Sequence, residues 1–268
     1  MFLTKKSFGK IIIVAICYFV LGSIFFGLAY VSSIFKINST PMYVIGAVAY
    51  ILCPILILCG LYSEGKGKFI NLGNKLVRHE LKPAEFINLY EDLKSSTGLV
   101  INKPNFEVLQ LAFTAYFVLD NKEAALSTID KMISIANKKR IVYAKLLKTS
   151  LLFSYGQVEE AEALFDEARG SKQSIASLAL TDAILKSDRA MALGDYKTVE
   201  FYNLKLLTQA FPKPDNLSRL AINFELGEVY EKMQDIKKAI PYYEYCVTYG
   251  GETAKRDAAK SALDRLKI

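Results

Sequence analysis

Leu226-Gly-Glu-Val-Tyr230, followed by Asp235, Ala239-Ile240, Tyr243 and Cys246, is the stretch on which the fold turns. Ala239 lies thirteen residues after Leu226, Tyr243 four further on, and Cys246 three beyond that. Apolar and small residues at these intervals give each of two helices one buried stripe. The polar turn at Asp235 folds the second helix back on the first. A small side chain at Ala239 lets the two backbones approach closely, and Tyr230 and Tyr243 fill the space beside that contact. A single pair of this kind still exposes an apolar face, which only another pair can cover.

Looser copies lie upstream. Gly156-Gln-Val-Glu-Glu-Ala161 carries a turn and a small crossing residue, with Phe165 and Ala168 after it. Gly194-Asp-Tyr-Lys-Thr-Val199 repeats the turn with Leu206 following, and Asp120-Asn-Lys-Glu-Ala-Ala125 with Ile129 and Met132 is the loosest match. These residues resemble the tetratricopeptide repeat. That family places Leu-Gly and Tyr on a first helix, a small residue at the crossing and an aromatic four positions later. Asn223 stands where the family often has Trp, and Gly251 where it often has Pro. The crossing positions 125, 161, 199 and 239 are separated by 36, 38 and 40 residues, more than the family's period of about 34.

The resemblance implies an all-α fold over residues 105–268: a TPR-like α-solenoid of about four helical hairpins. Ala254, Ala258, Ala262 and Leu266 form the apolar face of a last, capping helix. It also implies a concave groove, lined by the first helix of each hairpin, that holds a protein or peptide partner. Projected from the last repeat, the groove residues are Gln110, Thr114 and Phe117; Tyr143, Leu146, Ser150 and Phe153; Ile184, Asp188 and Met191; and Phe224, Glu228 and Glu231. The Lys/Asn set with which some family members clamp a terminal carboxylate is absent. The early part of the groove is apolar and aromatic and the later part acidic, so the expected ligand is an apolar segment with a basic end.

The first 63 residues read differently. They hold Lys5, Lys6, Lys10 and Lys36 and no acidic residue. Ile11–Phe35 and Met42–Tyr62 carry no charge at all. A bilayer core about 30 Å thick needs about 20 apolar helical residues, so both runs qualify as spans of a two-helix transmembrane hairpin (1–63). The first run is too long for a signal-peptide core. Small residues recur every seven positions, at Ala15, Gly22 and Ala29 and at Gly46, Cys53 and Gly60. Such stripes suit close helix packing in lipid, either as the seam of the hairpin or as a homo-oligomer contact. Pro54 should bend the second helix. Lysines before the first run, and Lys66, Lys68, Lys75 and Arg78 after the second, predict that both termini and the repeats are cytoplasmic.

Residues 64–104 form a juxtamembrane region. Phe69, Leu72, Leu76 and Val77 lie opposite Lys75 and Arg78 on a short amphipathic helix. It either lies in the bilayer interface or packs on the next helix. Pro83 opens that next helix, with Phe86, Leu89, Tyr90 and Leu93 on one face. Gly60 to Lys66 imitates the start of a phosphate-binding loop, but Gly67 replaces the Ser or Thr that would hold magnesium.

Several functions are excluded. The chain of 268 residues has a net charge of +7, yet residues 104–268 are close to neutral, which argues against nucleic acid. The only histidine is His79 and no Cys-x-x-Cys pair occurs, so neither a zinc site nor a nucleophile–base pair is marked. No catalysis and no cofactor are expected. The leading expectation is a membrane-anchored adaptor or scaffold with a protein or peptide partner and a lipid bilayer. The alternative is a structural or assembly subunit whose hairpin contacts other membrane proteins.

Overall fold

A computed structural model describes residues 5–35, 43–44, 64–95, 105–138, 140–169, 179–209 and 213–266. All regular structure among them is helical. The chain divides into two compact units, 1–71 and 72–268.

In the first unit, α1 runs from Lys5 to Ile34. Its described apolar side chains are largely exposed: Ile16, Phe19, Ile24, Leu28, Tyr30 and Phe35 are each at least half open. Gly22 and Ala29 are the buried positions among the described side chains of this helix, two members of the seven-residue stripe. The Phe26 ring lies 6.0 Å from that of Tyr43. Among the described residues no helix is long and apolar enough to cross a membrane. The second predicted span, apart from its first residues, lies outside the described residues, as do Gly46, Cys53, Pro54 and Gly60.

A helix over 64–74, α2, continues into a π-helical turn, Lys75–His79. The second unit then comprises α3 (Pro83–Ser95), α4 (Phe106–Val118), α5 (Lys122–Ile135), α6 (Ile141–Ser154), α7 (Val158–Arg169), α8 (Ala179–Ala192), α9 (Tyr196–Gln209), α10 (Asn216–Lys232), α11 (Ile236–Tyr249) and α12 (Ala254–Leu266). Four antiparallel pairs, α4–α5, α6–α7, α8–α9 and α10–α11, pack in sequence, and α12 closes on α11.

All four crossing positions, Ala125, Ala161, Val199 and Ala239, are completely buried. So are, or nearly so, the positions four and seven residues on: Ile129 and Met132, Phe165 and Ala168, Asn203 and Leu206, Tyr243 and Cys246. The four turns share one geometry. A residue with left-handed backbone stands five positions before each crossing residue: Asp120 (φ 56°), Gly156 (71°), Gly194 (75°) and Gln234 (63°). The next amide donates back to the first helix in every case, Asn121 to Tyr116, Gln157 to Leu152, Asp195 to Ala190 and Asp235 to Tyr230, at 2.8–2.9 Å. This is the bond that closes a helix with a left-handed residue.

In the fourth pair a Cβ on Gly227 would sit 2.7 Å from the Tyr243 ring, so Gly227 shares with Ala239 the task of bringing the helices together. The phenol of Tyr230 donates to Glu200 and that of Tyr243 to Glu231. The buried stripe of α12 is Ala259, Ala262 and Leu263, one step round from the expected Ala254, Ala258, Ala262 and Leu266; Ala258 is exposed. The helix approaches α11 obliquely enough to shift its contact line.

Candidate functional site

The first helices of the four pairs are α4, α6, α8 and α10. At corresponding positions they carry Thr114, Ser150, Asp188 and Glu228, all half-buried. The Thr114 hydroxyl is spent within its own helix, donating to the Gln110 carbonyl. The Ser150 hydroxyl donates to Asp188 at 2.5 Å, joining α6 to α8. The Gln110 amide donates to the Tyr143 phenol at 2.9 Å, joining α4 to α6.

Not every residue projected into the groove faces it. Leu146 is buried against Phe165, Ala168 and Leu185, and Phe153 against Leu152 and Ala161. Met191 packs on the buried cluster of Ala190, Val199 and Val229. Phe117 stacks on Phe113. Ile184 is half-buried. Phe224 meets Tyr243 edge-on and carries the Lys255 ammonium 4.7 Å above its ring. Glu231 accepts from Tyr243 and from Arg265 at 2.6 Å.

The acidic end is electrostatically loaded. Burial pushes the Asp188 carboxyl far above the ordinary carboxylate range, helped by the Glu225 charge and opposed by the Ser150 hydrogen bond and Lys255. Burial also raises Glu228, with Glu225 and Glu231 adding to the shift and Lys255 opposing it. Both shifts favour the protonated carboxyl, and a cation placed beside these groups would oppose them as Lys255 already does.

Two features escaped sequence reasoning. Asn203 is 1% exposed at the place where the other pairs carry Ile, Phe or Tyr. It accepts from Ser187 at 3.2 Å and donates to Glu225 at 3.0 Å, so a buried polar chain runs from the third pair to the groove's acidic end. An Asn four residues after Val199 was the available signal.

The second feature is the segment before α3. Leu76 (3% exposed), Val77 (0%) and Leu81 (3%) are buried, so of the two sequence readings this end of the amphipathic helix takes packing on protein. It packs on α3 and α4, and also on α10 at the far end of the array. The Arg78 guanidinium donates to Asp215 Oδ2 at 3.0 Å. Asp215 Oδ1 meanwhile caps α10 by accepting from the Ser218 amide at 2.8 Å. The Asn216 side-chain amide donates to the His79 carbonyl at 2.7 Å, and the Glu252 amide to the Leu81 carbonyl at 2.8 Å. Arg78 also lowers the Tyr143 phenol, although burial leaves that group raised overall. The segment therefore lies against α4 and the N-terminal end of α10, each the first helix of its pair. Gly251 explains one departure from the repeat pattern: a Cβ there would stand 2.5 Å from the Leu81 carbonyl oxygen.

Among the described residues no three His, Cys, Asp or Glu side chains converge as metal ligands. The Cys246 thiol is fully buried, and burial pushes it up to about 12, which makes it a packing group rather than a nucleophile. No known protein family, no curated protein and no solved structure matches the chain.

Proposed function

We propose that this chain is a membrane-anchored adaptor: an N-terminal hairpin tethers a TPR-like array whose first-helix face takes a protein segment, without catalysis. The observation that carries the reading is the division of labour within each pair. The crossing positions are sealed, whereas Thr114, Ser150, Asp188, Phe224 and Glu228 stay half-open on one face. Asp188 and Glu228, both raised, suit a partner bringing a basic side chain to an apolar anchor. Tethering would hold the array near its targets and raise their effective concentration. The exposed apolar surface of α1, the uncharged runs 11–35 and 42–62, and the flanking lysines support the anchor and a cytoplasmic array.

The alternative, an assembly subunit that docks through its hairpin, is favoured by the buried stripe of Gly22 and Ala29. Both readings meet in one experiment. Tagged full-length protein is captured from detergent-solubilised native membranes beside an Asp188→Lys/Glu228→Lys variant and a Gly22→Leu variant. Loss of a defined partner only with the groove variant supports the adaptor. Loss only with Gly22→Leu transfers recognition to the hairpin. Protease protection of a tag after residue 268 in sealed vesicles tests the orientation.

A further inference from the structure

The segment over 76–81 has the chemistry expected of the groove's outside ligand: two apolar side chains followed by a guanidinium. We propose that the N-terminal end of the first-helix face is a binding seat for a short apolar–apolar–arginine segment, and that this chain fills it with its own Leu76-Val77-Arg78. An outside segment of the same kind enters only when the internal one leaves.

Three observations carry this. The seat is built on residues distant in sequence: Arg78 and His79 meet Asp215 and Asn216 across 137 positions, so the bonds are those of a ligand on a surface rather than of neighbours in a hairpin. Recognition is divided as in peptide binding. Leu76 and Val77 are sealed from solvent, one carboxylate reads the guanidinium, and two main-chain carbonyls, of His79 and Leu81, are held by Asn216 and the Glu252 amide. The occupant is also held in conformations it would not choose alone. Lys75–His79 is a π-helical turn, a rare form found mostly as single turns at α-helices and frequent at functional sites. Leu81 has φ 55°, a left-handed backbone that crowds the Cβ of a non-glycine residue. Arg78 and Asp215 keep 28% and 21% of their side-chain surface in solvent, so the ionic contact opens without unpacking a core.

The physics of competition sets the test. A segment tethered by a short linker is present at an effective concentration of about millimolar, so a free peptide at micromolar concentration loses to it unless the internal copy is weakened. The probe is a fluorescent peptide of residues 72–83, Leu-Gly-Asn-Lys-Leu-Val-Arg-His-Glu-Leu-Lys-Pro, added to full-length protein in lipid nanodiscs. Wild type should show no saturable binding. Arg78→Glu, which sets two like charges against each other, should raise hydrogen exchange over 75–82 and increase peptide binding at least tenfold. A peptide with Glu at the arginine position should not bind that variant. The conservative variant Arg78→Lys, which keeps the charge beside Asp215, should stay protected over 75–82 and bind no peptide. The proposal is overturned if Arg78→Glu leaves 75–82 protected, if it binds no peptide while α4–α11 keep their protection, or if the whole array loses protection, which would make the segment part of the core. The proposal deepens the reading of this face as a binding face. Peptide binding without partner capture from membranes would leave the seat standing and remove the outside partner.

Discussion

The third and fourth helical pairs share a backbone plan and fill it with opposite chemistry. Each has a left-handed turn residue, Gly194 in one and Gln234 in the other, and a sealed crossing residue five positions later, Val199 or Ala239. Four residues further on, the fourth pair places Tyr243, packed on Gly227 and Phe224. The third pair places Asn203, bonded to Ser187 and Glu225. The fourth pair therefore fills this position with close aromatic packing, the Tyr243 hydroxyl reaching Glu231 at its edge. The third is held by a polar chain that ends beside Asp188 and shares its electrostatics. A repeat scaffold can thus keep its geometry while exchanging packing for polarity at one position of one pair.

Substitutions that break this contrast rank by mechanism. Tyr243→Ala should cost the most, about 3–5 kcal/mol, as a large buried aromatic is lost and a cavity remains; the urea midpoint of the full-length protein measures it. Asn203→Ala should cost less, about 1–3 kcal/mol, by leaving Ser187 and Glu225 without their buried partner. An equal loss at both sites would mean that the two pairs are not held differently.

The turns offer a change of opposite sign. Gln234→Gly removes a Cβ from left-handed backbone and should stabilise by about 1 kcal/mol, whereas Gly194→Ala should destabilise by a similar amount. Thermal unfolding of the two variants side by side would show it.

Asp188 sharpens the contrast through pH. Its folded value lies above the unfolded one, so its contribution to stability is full below the ordinary carboxylate range near 4 and is lost as pH rises toward the folded value. Asp188→Asn should flatten the loss of stability between acid and neutral pH and gain stability at pH 8. Glu228, raised in the same sense, leaves a residual slope. Asp215 has the opposite sign. Burial works to raise it, but the Ser218 hydrogen bonds and Arg78 prevail and hold it low, so the contact with Arg78 should loosen only in acid, below the ordinary aspartate range. Hydrogen exchange over 75–82 as a function of pH reads that directly. The smallest effect belongs to the exposed pair Lys94–Glu91: Lys94→Ala should change stability by no more than about 1 kcal/mol.

The helices, their pairing and the crossing residues were legible because each rests on neighbours three, four or a few more positions apart. Pro83 opens α3 as its fixed φ predisposes, and Ala125, Ala161, Val199 and Ala239 are small or branched apolar residues in a repeating context. The turns were half legible. Gly156 and Gly194 announce left-handed backbone, but Asp120 and Gln234 adopt it because the same closing hydrogen bond is available to them. The groove list was less secure, since Leu146 and Phe153 share the helical register of Ser150 and Asp188, and only the neighbouring pair decides which of them it covers.

By itself the sequence determined an array of paired helices behind an apolar N-terminal region without acidic residues, because periodicity and charge are local properties that survive without knowledge of distant contacts. Only the tertiary structure decided that Leu76, Val77 and Arg78 lie against α4 and α10, that Gly251 must lack a side chain to admit Leu81, and that Asn203 is tied to the acidic groove. Those contacts join residues far apart in the chain, and no spacing records a bond whose partner is chosen by how the pairs stack.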